Sequence, residues 1–409
     1  MMVTALSIAG SDSIGGAGIQ ADIKAMTALG VHATTVITAV TAQNTCRVDG
    51  IHAVPSEFIA AQLRSVLEDA DVRAAKTGML YCAEAVHTVA DLWPSHIPLV
   101  VDPVLVAGVG DPLYHEDLVA AIRRRLLPIA TVVTPNRMEA ETLAGIAIDD
   151  RDDALEACRI LGEKGASVLL KGGHMDGEKV VDIFYSRGEH SFLEYPRLER
   201  AGHGGGCTLA SYIASHLALG HPLDDSIRLS RMLIQRSIAS MFSVGKGERL
   251  VDSTAPWRKR LAEAEARLSL ERSKEHLPAF RDLPVQSLQV VQAYGCFPTL
   301  DDFVFLSGDG DSWHVHAGVP TPDLLHTLQA CRRMDSDIQA VASMDLASDS
   351  DLPSTKPLSS MTDASSLVSN RDGGLPELIY KKKNDHSGIS LMAMGRDAPE
   401  ALRRLIGWW

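Results

Sequence analysis

The sequence predicts an α/β fold: a mostly parallel central sheet covered by helices, followed by a second, smaller α/β domain. Three observations predict it. Through residue 250, short apolar runs alternate with stretches of helical periodicity, the signature of a parallel sheet buried on both faces. The chain has 409 residues, more than one ordinary core holds, so two domains are expected. Near residue 254 the alternation gives way to dense charge of both signs.

The apolar runs read as strands are Thr4–Gly10, His32–Val40, Ala74–Met79, Pro98–Val104, Ala130–Thr134 and Ser167–Lys171. The periodic stretches between them are Ala17–Leu29, Pro55–Glu68, Glu84–Leu92, Glu116–Leu127, Met138–Ala144 and Asp152–Lys164. Val180–Tyr185 and Ser191–Tyr195 flank Arg187-Gly188-Glu189 as a hairpin, and two helices follow, Gly206–Leu219 and Leu223–Val244. Arg258–Glu275 reads as a charged helix at the start of the second domain. Nine serines within residues 343–369 mark an exposed loop. Leu375–Tyr380, Gly388–Met394 and Ala398–Ile406 read as strand, strand and helix, and the domains are expected at 1–253 and 260–409.

Net charge is −13 and aromatic content 5%, which disfavours a nucleic-acid partner or an anionic membrane surface. The six cysteines have no paired spacing, so neither a disulfide framework nor a structural zinc site is expected. No apolar run is long enough to span a bilayer and no leader is visible, so a cytoplasmic enzyme is the expectation.

Gly202-His203-Gly204-Gly205-Gly206-Cys207-Thr208 carries the most chemistry. Glycines that end where a helix begins let backbone N–H groups converge on one point, and the helix dipole adds positive potential there. Phosphate is the anion most often held so. A thiol at that N-terminus is expected to have a lowered pKa and to accept a proton. Taken alone, Cys207 reads first as a small buried residue at a helix start, and the glycine context reverses that reading. A second glycine-rich turn, Gly15-Gly16-Ala17-Gly18, follows the first strand, but its spacing departs from the dinucleotide-binding pattern. Gln43 offers a donor and an acceptor in one plane, which suits an aminopyrimidine edge; its plain alternative is a surface amide. Lys171 ends a buried strand where a cation can reach phosphate oxygens, and Asp102 ends another, where a carboxylate needs a metal or donors.

Ala9-Gly10-Ser11-Asp12-Ser13 with Gly15 through Asp22, then Thr41-Ala42-Gln43-Asn44-Thr45, Lys76-Thr77-Gly78-Met79-Leu80, Val101-Asp102-Pro103-Val104, Thr134-Pro135-Asn136 with Glu139, Lys171-Gly172-Gly173-His174 and the cysteine turn occur in this order. Together they resemble the hydroxymethylpyrimidine/phosphomethylpyrimidine kinases of thiamine biosynthesis, in the ribokinase-like superfamily. The resemblance covers about residues 1–250. It implies a three-layer α/β/α fold, often dimeric, that uses ATP and Mg²⁺ to phosphorylate hydroxymethylpyrimidine and then its monophosphate.

The resemblance places Gly204, Gly205, Gly206 and Cys207 at the transferred phosphate, with Cys207 as general base. It places Gln43, Gly10, Asp22 and Met79 at the pyrimidine, although Asp22 reads equally well as a solvent residue of the first helix. Lys171, Asn136 and Asp102 are implied at the nucleotide, and Glu139 at Mg²⁺ through water; Glu139 is otherwise a first-turn dipole partner. The family's turn has Thr where this chain has Gly205, so one hydroxyl that could touch phosphate is lost while the backbone donor stays. A pyridoxal or pyridoxine kinase is the nearest alternative, and a ligand sensor with an inert kinase fold is another.

Residues 260–409 resemble, more distantly, the thiamine-phosphate synthase domain fused behind this kinase in archaeal proteins. Ala330–Ile338, Leu375–Tyr380 and Met394–Glu400 carry that likeness. The family's Arg-His pair falls near Pro322-Asp323, and its Asn on or near Ser343. Synthase chemistry, binding without synthesis and a degenerate scaffold all stay open. His314 and His316 lack a third ligand in sequence and read as structural or solvent-facing.

Overall fold

The computed structural model describes residues 2–105, 116–174, 179–198, 202–280, 285–293, 303–308, 313–317, 328, 340–346, 362–363, 378–382 and 389–408. They form two compact units, 1–257 and 258–409.

The first unit is a nine-stranded sheet in the order β3-β2-β1-β4-β5-β6-β7-β8-β9. Six strands run parallel: β2 (His32–Gln43), β1 (Thr4–Ser11), β4 (Val72–Thr77), β5 (Leu99–Val101), β6 (Val132–Val133) and β7 (Ser167–Leu170). β3 (Val48–Ala53), β8 (Lys179–Ser186) and β9 (Glu189–Pro196) join antiparallel at the margins. Successive strand residues point to opposite faces, and both faces are apolar. Leu6, Ile8, Val101 and Val133 pack under α2 (Ser56–Asp69), α3 (Ala83–Leu92), α4 (Glu116–Ala121), α5 (Arg137–Ala144) and α6 (Arg151–Gly162). Ala5, Val100 and Val132 pack on the other face under α1 (Gly18–Ala28), α7 (Gly205–Ala218) and α8 (Leu223–Ala239). The unit is thus the expected three-layer α/β/α arrangement.

Local chemistry sets several boundaries. Asn136 caps α5: its Oδ1 accepts from Glu139 N at 2.9 Å while Glu139 Oε2 accepts from Asn136 N at 2.7 Å. Asp150 caps α6 by accepting from Asp152 N and Asp153 N at 2.9 and 3.0 Å.

Three expectations need correction in this unit. β3 was not foreseen, because Val48-Asp49-Gly50-Ile51-His52-Ala53 lies exposed at the sheet edge and needs no apolar alternation. The expected helix over 116–127 loosens after Ala121 into a π-turn over Ile122–Leu126 and a 3₁₀ turn over Leu127–Ile129, where Pro128 withholds a donor. α8 stops at Ala239, and Phe242 instead exchanges backbone hydrogen bonds with Leu250 at 3.1 and 2.9 Å.

The charged helix α9 (Ala255–Ser273) leads into the second unit. That unit is a seven-stranded sheet in the order β12-β11-β10-β13-β16-β15-β14, antiparallel except for the β14–β15 pair. Its strands are β10 (Val285–Ala293), β11 (Phe303–Gly308), β12 (Trp313–Ala317), β13 (Ala340–Leu346), β14 (Thr362–Asp363), β15 (Leu378–Lys382) and β16 (Ile389–Gly395). The last helix, α10 (Ala398–Trp408), packs on β13 and β16. Ser343 was expected to open an exposed loop; it is buried in β13 between β10 and β16. His314 and His316 lie on the edge strand β12. Cys296, Cys331, Pro322-Asp323, residues 330–338 and most of the serine-rich stretch lie outside the described residues. Among the described residues no helix is long and apolar enough to cross a membrane.

Candidate active site

The parallel strands deliver their functional residues at one edge, where their carboxyl ends open into a cavity of about 680 Å³. Gly10 and Gln43 come from the ends of β1 and β2, Met79 follows β4, Asp102 follows β5, Asn136 follows β6 and Lys171 follows β7; all line the cavity. Gly204, Gly205, Gly206 and Cys207 close it from the start of α7.

The first turn of α7 has no side-chain cap, so the N–H groups of Gly205, Gly206 and Cys207 have no partner within the helix. Gly204 adopts φ 94°, and a Cβ there would run into the carbonyl oxygen of Gly16. The two glycine-rich turns therefore pack against each other, and neither admits a side chain at that contact. A Cβ at Gly206 would lie 3.2 Å from Lys171 Nζ and 3.7 Å from Asp102 Oδ2. The free amides, an ammonium and a carboxylate thus converge.

Lys171 Nζ donates to Asp102 Oδ1 at 3.1 Å and sits 3.7 Å from Glu139 Oε2. Thr134 Oγ1 also donates to Asp102 Oδ1, at 3.2 Å. Burial alone would lower the Lys171 pKa, but the Asp102 and Glu139 carboxylates outweigh it and hold the ammonium charged. Glu139 is pushed up to about 7 by burial, with Lys171 pulling it down and Asp102 pushing it up. Among the described residues no group of three or more His, Cys, Asp or Glu side chains is arranged to hold a metal. Asp102 and Glu139 are hard oxygen donors beside the start of α7, a donor type that fits Mg²⁺.

On the same cavity wall, Gly10 N donates to Met79 O at 3.1 Å, and Gln43 Nε2 lies 3.1 Å from His203 Nε2. His203 Nε2 is also 3.2 Å from Asp12 Oδ2. Asp12 accepts from the backbone of Ile14, Gly16 and Ala17 at 3.1, 2.9 and 2.8 Å and so shapes the first glycine-rich turn. Burial raises the Asp12 pKa, but the His203 and Ala17 hydrogen bonds outweigh it and the net shift is downward.

Residues 12–252 match the family model for phosphomethylpyrimidine kinase. The chain belongs to the phosphomethylpyrimidine kinase family. The hydroxymethylpyrimidine/phosphomethylpyrimidine kinase of Streptomyces coelicolor is 46% identical over 252 residues, which are 60% of this chain and 93% of the relative. The solved phosphomethylpyrimidine kinase of Clostridium difficile is 38% identical, with a TM-score of 0.51 over 58% of this chain and 99% of the other. The ADP complex of Bacillus subtilis pyridoxal kinase is 31% identical, with a TM-score of 0.59 over 62% of this chain and 98% of the other. The phosphotransferase class and the use of ATP expected from the sequence hold for the family.

Against that family, two expectations change. Asp22 does not line the cavity. Its carboxylate is sealed beneath the floor, 3.0 Å from Lys76 Nζ through each oxygen, and it accepts from Ser7 Oγ at 2.6 Å and Ser211 Oγ at 2.7 Å. A buried ammonium needs a counter-charge, and that need accounts for Asp22. The Cys207 thiol is not lowered by the helix N-terminus. Burial pushes it up to about 12; Lys76 pulls it down, Asp102 and Asp22 push it up, and a hydrogen bond from the Gly18 backbone pulls it down. The thiol is therefore protonated near neutrality.

Three residues were given no chemical role from sequence, His203 being read there only as a polar rim residue. Asp12 and His203 stand within quoted motifs, yet their partnership spans 191 positions. Lys76 also heads a quoted motif, and it left a further signal, a charged residue inside the apolar run Ala74–Met79, which a fully buried position demands be paired.

Proposed function

We propose that residues 1–253 phosphorylate hydroxymethylpyrimidine, and then its monophosphate, with ATP in thiamine biosynthesis. The observation that carries this reading is the convergence of free α7 amides on Lys171 and Asp102 in a cavity that Gln43 also lines. In this reading the amides of Gly205, Gly206 and Cys207 hold the γ-phosphoryl group and Lys171 balances its charge. Asn136 borders the phosphates, and the apolar wall of Leu209, Ile234, Ile238, Met241 and Val251 receives the nucleoside. Gln43, Gly10 and Met79 hold the pyrimidine. Its hydroxymethyl oxygen attacks phosphorus, the bond to the ADP oxygen breaks, and the alcohol proton passes to Cys207 Sγ. Glu139 and Asp102 would hold Mg²⁺, which neutralises phosphate charge when bound.

A thiol accepts a proton only as thiolate, so a sulfur raised to about 12 makes a testable demand. The rate constant kcat should climb with pH across the alkaline range. Cys207→Ala should abolish that climb and lower kcat by about a hundredfold or more. A variant at wild-type rate removes Cys207 from proton transfer.

Incubation with Mg-ATP and hydroxymethylpyrimidine, read by mass spectrometry, tests the whole proposal: two successive phosphate additions support it, and none leaves the inert sensor. Pyridoxal in a parallel reaction tests the alternative favoured by the likeness to pyridoxal kinases. We further propose a cytoplasmic homodimer, checked by sedimentation. Residues 260–409 are proposed as a thiamine-phosphate synthase-like domain on the sequence resemblance alone. Adding thiazole phosphate to the diphosphate product tests whether that domain joins the two or only binds.

A further inference from the structure

The cavity wall at Gln43 contains a contact whose hydrogen-bond chemistry is over-determined. His203 is buried, and its Nε2 faces Asp12 Oδ2 at 3.2 Å and the Gln43 amide at 3.1 Å. The backbone of His203 is pinned as well: its N–H donates to Arg249 O at 2.8 Å and its carbonyl accepts from Val251 N at 3.0 Å. Asp12 is an ionised carboxylate that already accepts three backbone N–H groups, so it has no proton to offer. The ring nitrogen that faces it therefore carries hydrogen. A donor at Nε2 needs an oxygen from Gln43, not an NH₂ group.

The other neighbour of that amide makes the same demand. Thr41 Oγ1 lies 3.4 Å from Gln43 Oε1 and 2.9 Å from Ser11 O. A hydroxyl has one hydrogen, and the shorter contact, to a carbonyl that can only accept, takes it. Thr41 Oγ1 then presents a lone pair to Gln43 and calls for its NH₂. An amide turned through half a rotation satisfies both neighbours without moving any other atom, and oxygen and nitrogen are exchanged by that rotation alone.

We propose that His203, held as an Nε2 donor by Asp12, is a positioning residue that fixes the Gln43 amide with its oxygen on His203 and its nitrogen on Thr41. One lone pair and one N–H then remain for the cavity, in a set order. That order complements a ring nitrogen beside an exocyclic amino group and rejects an alcohol substrate that lacks the pair. His203 is also the residue before Gly204, so the clamp on the pyrimidine reader and the anion-binding turn share one stretch of backbone. The inference rests on the reading of Gln43 as the group that meets the pyrimidine.

The test is a double-mutant cycle in the full chain, with steady-state KM for hydroxymethylpyrimidine and for ATP measured separately. Gln43→Leu and His203→Leu should each raise the pyrimidine KM by about tenfold, the size of one misplaced hydrogen bond in a closed site, with the ATP KM within about twofold. The double variant should be no worse than Gln43→Leu alone. His203→Gln, whose amide nitrogen stands where Nε2 stood, should recover most of the loss; a merely structural role would not split the two KM values or be rescued this way. If Gln43→Leu leaves the pyrimidine KM unchanged, the reading of Gln43 falls and the clamp with it. If Gln43→Leu raises it and His203→Leu does not, or if the two losses multiply, the clamp alone falls. Should His203→Leu fail to fold, His203→Asn, too short to reach Gln43, takes its place in the cycle with the same expected outcomes.

Discussion

Lys76 and Lys171 both end among carboxylates near Cys207, yet the two sites differ in access and in charge balance. Lys76 is 0% exposed and pairs with the single carboxylate of Asp22, whose remaining acceptor sites are filled by Ser7 and Ser211. Lys171 is 16% exposed, opens to the cavity, and faces two carboxylates, Asp102 and Glu139. The sealed site is neutral and complete. The open site sets two carboxylates against one ammonium, and Glu139 is raised there chiefly by burial, with Asp102 adding to the rise and Lys171 opposing it. A closed pair holds structure, whereas an unbalanced one at a cavity wall is suited to a cationic ligand.

The largest expected effect breaks the sealed site. Lys76→Met leaves a carboxylate buried without a partner and should cost about 3–5 kcal/mol in urea unfolding. Replacing both groups, Lys76→Met with Asp22→Leu, should restore much of that loss, since apolar substitutes carry no desolvation cost. Lys171→Met should behave the other way. Glu139 takes up a proton and Asp102 keeps the Thr134 hydrogen bond, so less stability is lost than at Lys76, while in the proposed reaction kcat falls by about a hundredfold through lost charge at the phosphoryl group. Equal losses of stability and equal losses of rate in the two variants would erase the distinction between the sites.

A smaller effect comes from Glu139 alone. Its folded pKa of about 7 lies above the ordinary 4.5, so the folded chain keeps a proton that the unfolded chain has released. Stability must therefore be greatest below pH 4.5 as far as this group is concerned, and must fall as pH rises to about 7. Subtracting the profile of Glu139→Gln from that of the wild type in urea unfolding isolates the slope. Mg²⁺ with ADP should flatten it further, because a cation at Asp102 and Glu139 favours the ionised form. A flat difference between the two profiles would mean that Lys171 already balances both carboxylates.

Much of this was readable from the chain and some was not. The alternation of Val- and Ile-rich runs with helical periodicity marks parallel strands and their helices, since burial on both faces leaves no other pattern. The exposed strand Val48–Ala53 carries no such mark. Cys207 and its glycines are visible because a left-handed residue, a helix start and a thiol are neighbours in sequence. The Lys76–Asp22 pair, 54 positions apart, and the Asp12–His203 pair are set by tertiary packing, so single residues hint at them without naming the partner. The elevation of Cys207 arises from the same cause: local sequence supplies a helix N-terminus, and packing supplies the burial that overrides it.

The smallest effect tests Gly205, where the sequence resemblance implies a Thr. Gly204 cannot change, because a Cβ there meets the Gly16 backbone at a left-handed φ. Gly205, one residue on, is different: a Cβ would have only Val251 Cγ2 in reach, at 3.9 Å, an ordinary contact. Gly205→Thr should therefore be accommodated without strain. It should raise stability by about 0.5–1 kcal/mol, chiefly by restricting the unfolded chain. In the proposed reaction that turn faces the phosphate, so the new hydroxyl should lower the KM for ATP by up to about tenfold. The pyrimidine KM, governed at Gln43, should stay put. A gain in stability with a loss of turnover would point instead to a turn that must flex during phosphoryl transfer, and would make Gly205 the mobile counterpart of the rigid Gly204 beside it.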